Sequence, residues 1–427
     1  MHKKRPRGNT LFIQGTEGIL NTSKLSPSPI LKTAVQNRPS PKPAYIDKKR
    51  FAWLFSVVGP AISLVGTVGV AVFGASHWLL FFPVVFFYVL IPLFDLLIGE
   101  DTSNPPESSV TDLEADPYYR WITYATVPIL WVAVIFNCIF LCTNELNAFA
   151  WFATVMTTGS VLGFGLNVSH ELGHKLQRTP RKIALFNTAL GAYGHFSIEH
   201  NRGHHRHVST PEDPASSKMG ENIYRFACRE MPGAAHRAWR LEADRLGRQN
   251  KPVWHLENEI LQALCLTALV YGILIAIYGV DMVLVLIPVA IWGAFQLTSA
   301  NYVEHYGIQR LKAANGNYEN CQPHHSWNSN HLVSNLVLFQ LQRHSDHHTH
   351  PGRSYQSLRD FPELPRLPSG YFGMFFLAYL PPLWYRVMDP LLIKTLHGDV
   401  SRINFLPSAK NRLIQKYQLH TPAHSCH

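Results

Sequence analysis

Six long apolar stretches constrain what this chain can fold into more than any other feature of its sequence. A helix needs about twenty residues to cross the hydrocarbon core of a bilayer, because each residue advances it by about 1.5 Å. All six stretches reach about that length, and Asp95 is the only acidic residue well inside any of them. They occupy residues 52–74, 78–98, 121–142, 148–168, 260–279 and 281–300. The sequence predicts an all-α membrane protein with six transmembrane helices rather than a soluble helical core.

The distribution of Lys and Arg predicts how these helices are oriented. The short loops around residues 75–77, 143–147 and 280 contain no basic residue. Basic side chains lie on the opposite side, at Lys48, Lys49, Arg50, Lys175, Arg178, Arg181 and Lys182. Because positively charged loops remain in the cytoplasm, we expect both termini there, in agreement with an even number of crossings.

Charge and composition divide the chain into three predicted regions. Residues 1–50 contain eleven Lys or Arg against only Glu17 and Asp47, together with several Pro and Ser. We expect a basic, disordered tail near a membrane surface, since a nucleic-acid binder would spread its basic residues over a folded face. The tail is not a signal peptide, because the first long apolar run begins near residue 51. Residues 51–360 are predicted to form the six-helix region with a helical, histidine-rich cytoplasmic cap, and residues 361–427 a cytoplasmic C-terminal region.

Nine histidines form four clusters that begin at, or shortly after, the cytoplasmic ends of apolar helices. They are His170 and His174 in HELGHK, His200, His204 and His205 in EHNRGHH, His305 in NYVEHYG, and His344, His347 and His348 in LQRHSDHH. Spacings of three and four residues place side chains on one face of a helix, where neighbouring imidazoles can bind one metal. Nine ligands are too many for a single tetrahedral site but suit two metal ions. The clusters predict a binuclear metal site just below the membrane.

The ligand type narrows the chemistry without choosing the metal. Imidazole suits iron, copper, zinc and nickel, but a hydrolytic zinc site would use only three protein ligands. A pair of redox-active irons accounts for the number of histidines. We expect Glu199, Glu304 and Asp346 to accept hydrogen bonds from ligand imidazoles, with a bridging carboxylate as the alternative. The six cysteines form no CxxC pair, so neither a zinc ribbon nor an iron–sulfur site is indicated.

The four histidine motifs, together with DLLIGEDTSNPPE at 95–107, resemble the integral-membrane, non-haem di-iron alkane 1-monooxygenases. The resemblance extends from about residue 50 to about residue 360. It implies a bacterial inner-membrane enzyme in which all nine histidines bind two irons, and which inserts one oxygen atom of O2 into the terminal methyl of a medium- or long-chain alkane. It further implies electron delivery by a rubredoxin that an NADH-dependent rubredoxin reductase reduces. Because this chain has no CxxCG pair, we expect the rubredoxin to be a separate protein.

An alkane offers no hydrogen bond, so substrate selection must depend on the shape of a tunnel between the helices. Aromatic residues on the first two membrane helices are candidates for its walls, namely Trp53, Phe55, Trp78, Phe81, Phe82, Phe86 and Phe87. The alternative is that these aromatics face lipid or belong to the interfacial belt.

Three other functions remain open from the sequence. Fatty-acyl desaturases and hydroxylases also have histidine boxes, but their middle box is HxxHH, whereas this chain has HxxxHH and the additional NYVEHYG segment. Hydroxylation of aromatic methyl groups, as in xylene monooxygenases, is a closer variant. A metal transporter or sensor would place ionisable ligands within the membrane core, where this chain has almost none.

Overall fold

The computed structural model describes residues 45–419, so most of the predicted N-terminal tail and the last eight residues lie outside the described part. Within that part the regular structure is helical, with only isolated β-bridges and no strand. The predicted six membrane helices are confirmed, each long and apolar enough to cross a bilayer. They are Ala52–Phe73, His77–Ile98, Pro117–Thr143, Ala148–Gly173, Glu259–Tyr278 and Met282–His305. The protein is therefore a multi-pass membrane protein.

Shorter helices connect and follow the membrane helices. A brief helix, Val110–Ala115, precedes the third membrane helix. Two helical segments, Arg178–Leu190 and residues 196–207, and the long helix Ile223–Gly247 separate the fourth from the fifth. After the sixth membrane helix come Leu332–Val337, His344–Thr349, Tyr371–Ala378, Pro381–Thr395 and Lys410–Tyr417.

Short turns join the membrane helices in pairs, which sets the side on which the histidines lie. Residues 74–76, 144–147 and 279–281 form these turns. Gly74 ends the first helix with φ 63°, a left-handed conformation that glycine adopts without strain, and the Asn147 side chain caps the fourth helix. Because each pair crosses and returns, the fourth and sixth helices end on the same side. His170 and His305 therefore lie at the same end of the bundle.

The fourth and sixth membrane helices, which carry His170 and His305, pack closely through glycines. A Cβ added at Gly163 would lie 2.5 Å from Cβ of Gln296, and one at Gly293 would lie 2.6 Å from Cβ of Leu162. Small residues let helix backbones approach closely in membranes, where lipid supplies no hydrophobic driving force for association. This close packing fixes the two histidine-bearing ends relative to each other.

Residues 45–50 are folded against the helices, although we predicted them to belong to the disordered tail. Asp47 accepts hydrogen bonds from Trp53 Nε1 at 3.0 Å and from the Tyr119 hydroxyl at 2.8 Å. Lys49 forms an ion pair with Asp101 at 2.7 Å. Tyr119 and Asp101 lie more than fifty residues further along the chain, so the composition of the segment did not reveal these contacts.

Candidate metal centre

Five of the nine predicted histidines form one group. Each offers one ring nitrogen, and these atoms all lie within 4.8 Å of one another in His170, His174, His200, His205 and His347. Nε2 of His347 lies 2.9 Å from Nε2 of His170 and 3.1 Å from Nε2 of His205. Residues from the fourth membrane helix, the 196–207 segment and the His344–Thr349 helix thus meet at one point.

The other four histidines form a second group, beside the first. His204, His305, His344 and His348 also each offer a ring nitrogen within 4.8 Å of the others. Nε2 of His344 lies 3.2 Å from Nε2 of His305 and 2.9 Å from Nε2 of His348. All four side chains are buried. The structure therefore brings all nine histidines together, in groups of five and four.

The two HH doublets connect these groups. His204 belongs to the group of four and His205 to the group of five, and His348 and His347 divide in the same way. Consecutive residues on a helix point about 100° apart, so two adjacent imidazoles cannot face one point but can face two neighbouring points. The doublets are thus suited to a binuclear site.

A π-helical turn positions the second histidine box. Residues His200–His204 form this turn, between α-helical residues 196–199 and 205–207. Such widened turns inside α-helices occur frequently at functional sites. Here His200 and His205, five residues apart, reach the same group, with their Nε2 atoms 3.1 Å apart. We expected ordinary helical spacing, and the sequence contained no signal for the wider turn.

The protonation of these imidazoles suits metal binding. Burial, followed by the neighbouring imidazoles, lowers the pKa of His200, His205 and His347 well below the ordinary histidine value. Neutral imidazole presents a free lone pair, which is the form that binds a metal ion. Within residues 45–419, the buried Nε2 atoms of His174 and His204 have no hydrogen-bond partner. A metal ion bound in each group would give each of these nitrogens a partner. The site therefore fits the metal ions that the histidine spacing predicted.

The carboxylate that orients a ligand imidazole is Asp213, which the sequence did not indicate. Its Oδ2 lies 2.9 Å from Nδ1 of His204, and its Oδ1 accepts from Arg237 at 2.7 Å. Burial opposes charge on both partners, but their mutual attraction and hydrogen bond outweigh it, lowering the pKa of Asp213 and raising that of His204. Asp213 follows His204 in a turn rather than at helical spacing, so its position could be seen only in three dimensions.

Two of the three predicted carboxylates lie elsewhere than expected. Glu199 accepts from Arg237 Nε at 2.9 Å and forms no hydrogen bond with an imidazole of the described residues. Asp346 binds Arg353, with Nη1–Oδ2 at 2.9 Å, and lies 3.1 Å from Nδ1 of His350, which belongs to neither group. Both carboxylates pair with arginine instead, because each directly adjoins a proposed ligand in the chain and consecutive residues of a helix point about 100° apart.

Glu304 differs from the other two carboxylates. Its Oε2 lies 3.3 Å from Nε2 of His344, the nitrogen that faces His305 and His348. A carboxylate that only oriented the His344 ring would instead accept from Nδ1, the ring nitrogen that faces away from the other histidines. That Nδ1 has no hydrogen-bond partner among the described residues. The geometry therefore favours the alternative in which Glu304 reaches the metal itself.

An apolar cavity adjoins both groups of histidines. Its apolar walls include Phe164, Leu338, Leu341, Phe372 and Phe375, and it ends at His170, His200, His344 and Glu304. Ser160 also lines it, ten residues before His170, which corresponds to about 15 Å along the helix. The cavity therefore extends from the centre along the fourth membrane helix.

The seven aromatics proposed as tunnel walls do not line this cavity in the described structure. Phe87 comes nearest, because its ring packs against Phe164 at 5.2 Å and Phe372 at 6.2 Å between centroids. Trp53 is buried against Tyr355. Four of the others are exposed or half-buried on the outside, as expected for lipid-facing residues, namely Phe55, Phe81, Phe82 and Phe86. Trp78, which is exposed, lies with Phe81 at a separate pocket beside Ser76 and Asn147.

Comparison with known proteins agrees with this architecture. Residues 145–379 match the model of the fatty acid desaturase family. Alkane 1-monooxygenase 1 of Alcanivorax borkumensis is 50% identical over 374 residues, covering 87% of this chain and 92% of that protein. Alkane 1-monooxygenase of Pseudomonas putida is 49% identical over 378 residues, covering 88% and 93%. The hydroxylase component of a xylene/toluene monooxygenase from Pseudomonas putida is 29% identical over 242 residues, covering 56% and 61%.

Fold, histidine centre and family match together define a membrane protein of the fatty acid desaturase type, with its histidine cluster at one end of the helix bundle. Within that class, the identity and coverage of its relatives show that the chain belongs to the alkane 1-monooxygenase family. It is an oxidoreductase of the oxygenase type.

Proposed function

We propose that this protein hydroxylates the terminal carbon of medium- and long-chain n-alkanes, giving primary alcohols. The observation that carries the proposal is the apolar cavity that ends at both histidine groups. Its walls offer hydrophobic contact along their length, and each buried CH2 contributes about 0.8 kcal/mol. The chain end that enters first is the one presented to the centre, which accounts for terminal rather than internal attack.

The proposal assigns two iron ions to the histidine groups of five and four. Iron supplies the activation of O2, and the protein supplies ligation, positioning and exclusion of water. Asp213 orients the His204 ring through Nδ1, so that Nε2 faces the site. Phe164, Phe372 and Phe375 line the adjoining cavity and keep water from the reacting carbon.

We also assign the electron donor to a separate rubredoxin, reduced by an NADH-dependent rubredoxin reductase. A basic groove beside the group of five supports this assignment. Arg178, Arg181, Lys182, Arg202 and Arg245 line it together with Gly173 and Asn201, which adjoin His174 and His200 in the chain. An acidic carrier bound there would lie one residue from two proposed ligands, and charge complementarity would speed its encounter.

We also propose that the centre lies on the cytoplasmic face of a bacterial inner membrane. Lys175, Arg178, Arg181 and Lys182 lie at the histidine end of the bundle, whereas the turns 74–76, 144–147 and 279–281 carry no Lys or Arg. The positive-inside rule then directs the histidine end inward, where a soluble donor and NADH are available.

Turnover by the purified protein tests this function. We expect n-alkanes to give 1-alkanols with rubredoxin, reductase, NADH and O2, and the same preparation to contain two irons. His204→Ala and His347→Ala, one from each group, are expected to lose iron and product together. Alcohol formation from xylene but not from alkanes, or desaturation of an acyl substrate, would replace the proposal with the corresponding alternative.

A further inference from the structure

A second, small polar cavity adjoins both the metal centre and the apolar cavity. Its lining includes Glu230, Asn301, Tyr193 and His195, and it reaches the ligands His200 and His204. Four side chains line both this cavity and the apolar cavity and separate the two spaces, namely Phe196, His200, Leu297 and Asn301.

Polar groups in this cavity lack partners within the protein. The buried Tyr193 hydroxyl and His195 Nε2 form no hydrogen bond in the described part of the chain. A cavity with room for about one water molecule holds that water when two to four polar groups can bind it. Tyr193, His195, Glu230 and Asn301 supply such groups.

Glu230 is a buried carboxyl with no basic partner among the described residues. It lies on the Ile223–Gly247 helix and is 2% exposed. The Thr298 hydroxyl donates to its Oε2 at 2.7 Å and Asn301 Nδ2 to its Oε1 at 3.1 Å. The other buried carboxylates nearby, Glu199 and Asp213, both form ion pairs with Arg237.

The reaction under the proposed function consumes protons. Insertion of one oxygen atom follows RH + O2 + 2 e⁻ + 2 H⁺ → ROH + H2O, in which the second oxygen atom leaves as water. The electrons come from the donor protein, and the protons must come through polar groups that reach the centre. A protonated side chain joined to the centre by a polar space would meet that need.

We propose that Glu230 supplies protons to this reaction, through a water molecule in the small polar cavity. In each transfer the carboxyl O–H bond breaks, the water passes a proton toward the centre, and the resulting carboxylate takes up a proton again from solvent. His195, which lines the cavity and is half-buried, would carry this proton inward from solvent. The inference rests on the proposed oxygenase function.

The environment of Glu230 supports this role. Burial raises the pKa of Glu230 to about 7, so much of it is protonated at neutral pH. The titratable and charged groups that face it or lie close to it are Tyr193, His195, Glu199, His200, His204, Asp213 and Arg237. A donor is most effective when its pKa lies near the working pH.

Glu230→Gln tests the proposal, since the amide retains the size of the side chain but cannot release a proton. We expect kcat to fall about 100-fold, the range of a lost proton donor, with unchanged iron content and alkane KM. Less alcohol should form per NADH consumed, and the solvent deuterium isotope effect on kcat should increase. Glu230→Asp retains an ionisable group and should recover part of kcat, which a role in packing alone would not produce.

The pH dependence provides a separate test. The donor is the protonated form, so wild-type kcat should fall as the pH rises through the Glu230 pKa of about 7, and Glu230→Gln should lose this step. Infrared difference spectra of the resting protein should show a protonated carboxyl band at neutral pH that shifts in Glu230→Asp and is absent in Glu230→Gln. This readout needs no turnover.

Wild-type kcat and coupling in Glu230→Gln, or an ionised Glu230 in the infrared spectra, would overturn the relay while leaving alkane hydroxylation in place. Failure of the wild-type protein to hydroxylate alkanes would instead remove the proposed function itself.

Discussion

Oδ2 of Asp213 lies 2.9 Å from Nδ1 of His204, so the carboxylate fixes the ring whose Nε2 faces the group of four histidines. Asp213 is itself held by Arg237 and by the Ser216 hydroxyl, at 2.7 Å each. A ligand imidazole with a buried carboxylate behind it is fixed in one tautomer and one orientation. The loop that follows the EHNRGHH cluster therefore helps to position a proposed metal ligand.

Replacement of Asp213 should weaken metal binding. Asp213→Asn retains the shape of the side chain but loses its charge, and loss of such an outer partner lowers metal affinity about 10- to 100-fold. Iron measured after dialysis against a chelator should fall by up to half, because only the group of four loses its oriented ring. Asp360→Asn, which also removes a buried aspartate paired with an arginine (Arg366), is the matched control and should keep its iron. Equal iron in both variants would contradict this role.

The apolar cavity should set the chain length of the substrate. Phe372→Leu shortens a buried wall residue, so longer alkanes should be accepted, with each added CH2 contributing about 0.8 kcal/mol. Product yields across an n-alkane series measure the shift. Trp78→Ala, at a side chain 79% exposed, is the control and should leave the profile unchanged. A changed chain-length profile in Trp78→Ala but not in Phe372→Leu would show that the substrate passes along the aromatic residues predicted from the sequence instead.

Charge reversal in the basic groove should weaken the electron donor. Arg178 and Lys182 are exposed and form no ion pair with described residues, so Arg178→Glu with Lys182→Glu removes attraction without breaking an internal contact. We expect the apparent KM for rubredoxin to rise and its dependence on salt to decrease, with the alkane KM unchanged. Arg412→Glu, an exposed change on the last helix, should have no such effect. An unchanged KM for rubredoxin in the Arg178→Glu/Lys182→Glu variant would show that the donor binds elsewhere.

Asp346 should stabilise the fold around the LQRHSDHH cluster rather than orient a ligand imidazole. It is fully buried and binds Arg353, and it also accepts from the backbone N–H of Arg359 at 3.0 Å. Removing one partner of a buried ion pair costs about 3–5 kcal/mol, so Asp346→Asn should clearly lower the midpoint of thermal unfolding in detergent. Glu107→Gln removes a partner of Arg353 that is 65% exposed, and the expected loss is below about 1 kcal/mol. Similar midpoints for the two variants would show that the buried contact contributes little.

Much of this protein was determined by the sequence on its own. Apolar length fixes the six membrane helices, because a bilayer requires about twenty apolar residues for each crossing. The i, i+4 spacing of His170 with His174 and of His344 with His348 placed each pair in a single group, since such residues share one face of a helix. These features are local, so neighbouring residues suffice to define them.

Only the tertiary structure decided how the clusters combine. Division of the nine histidines into five and four depends on how the 196–207 segment and the His344–Thr349 helix pack between two membrane helices. Asp213 reaches His204 through an irregular turn, and Phe372, beyond the region that resembled the family, lines the apolar cavity. Glu230 meets Thr298 and Asn301 across 68 and 71 residues of chain. Such contacts follow from packing between distant segments, for which no periodicity in the sequence provides a signal.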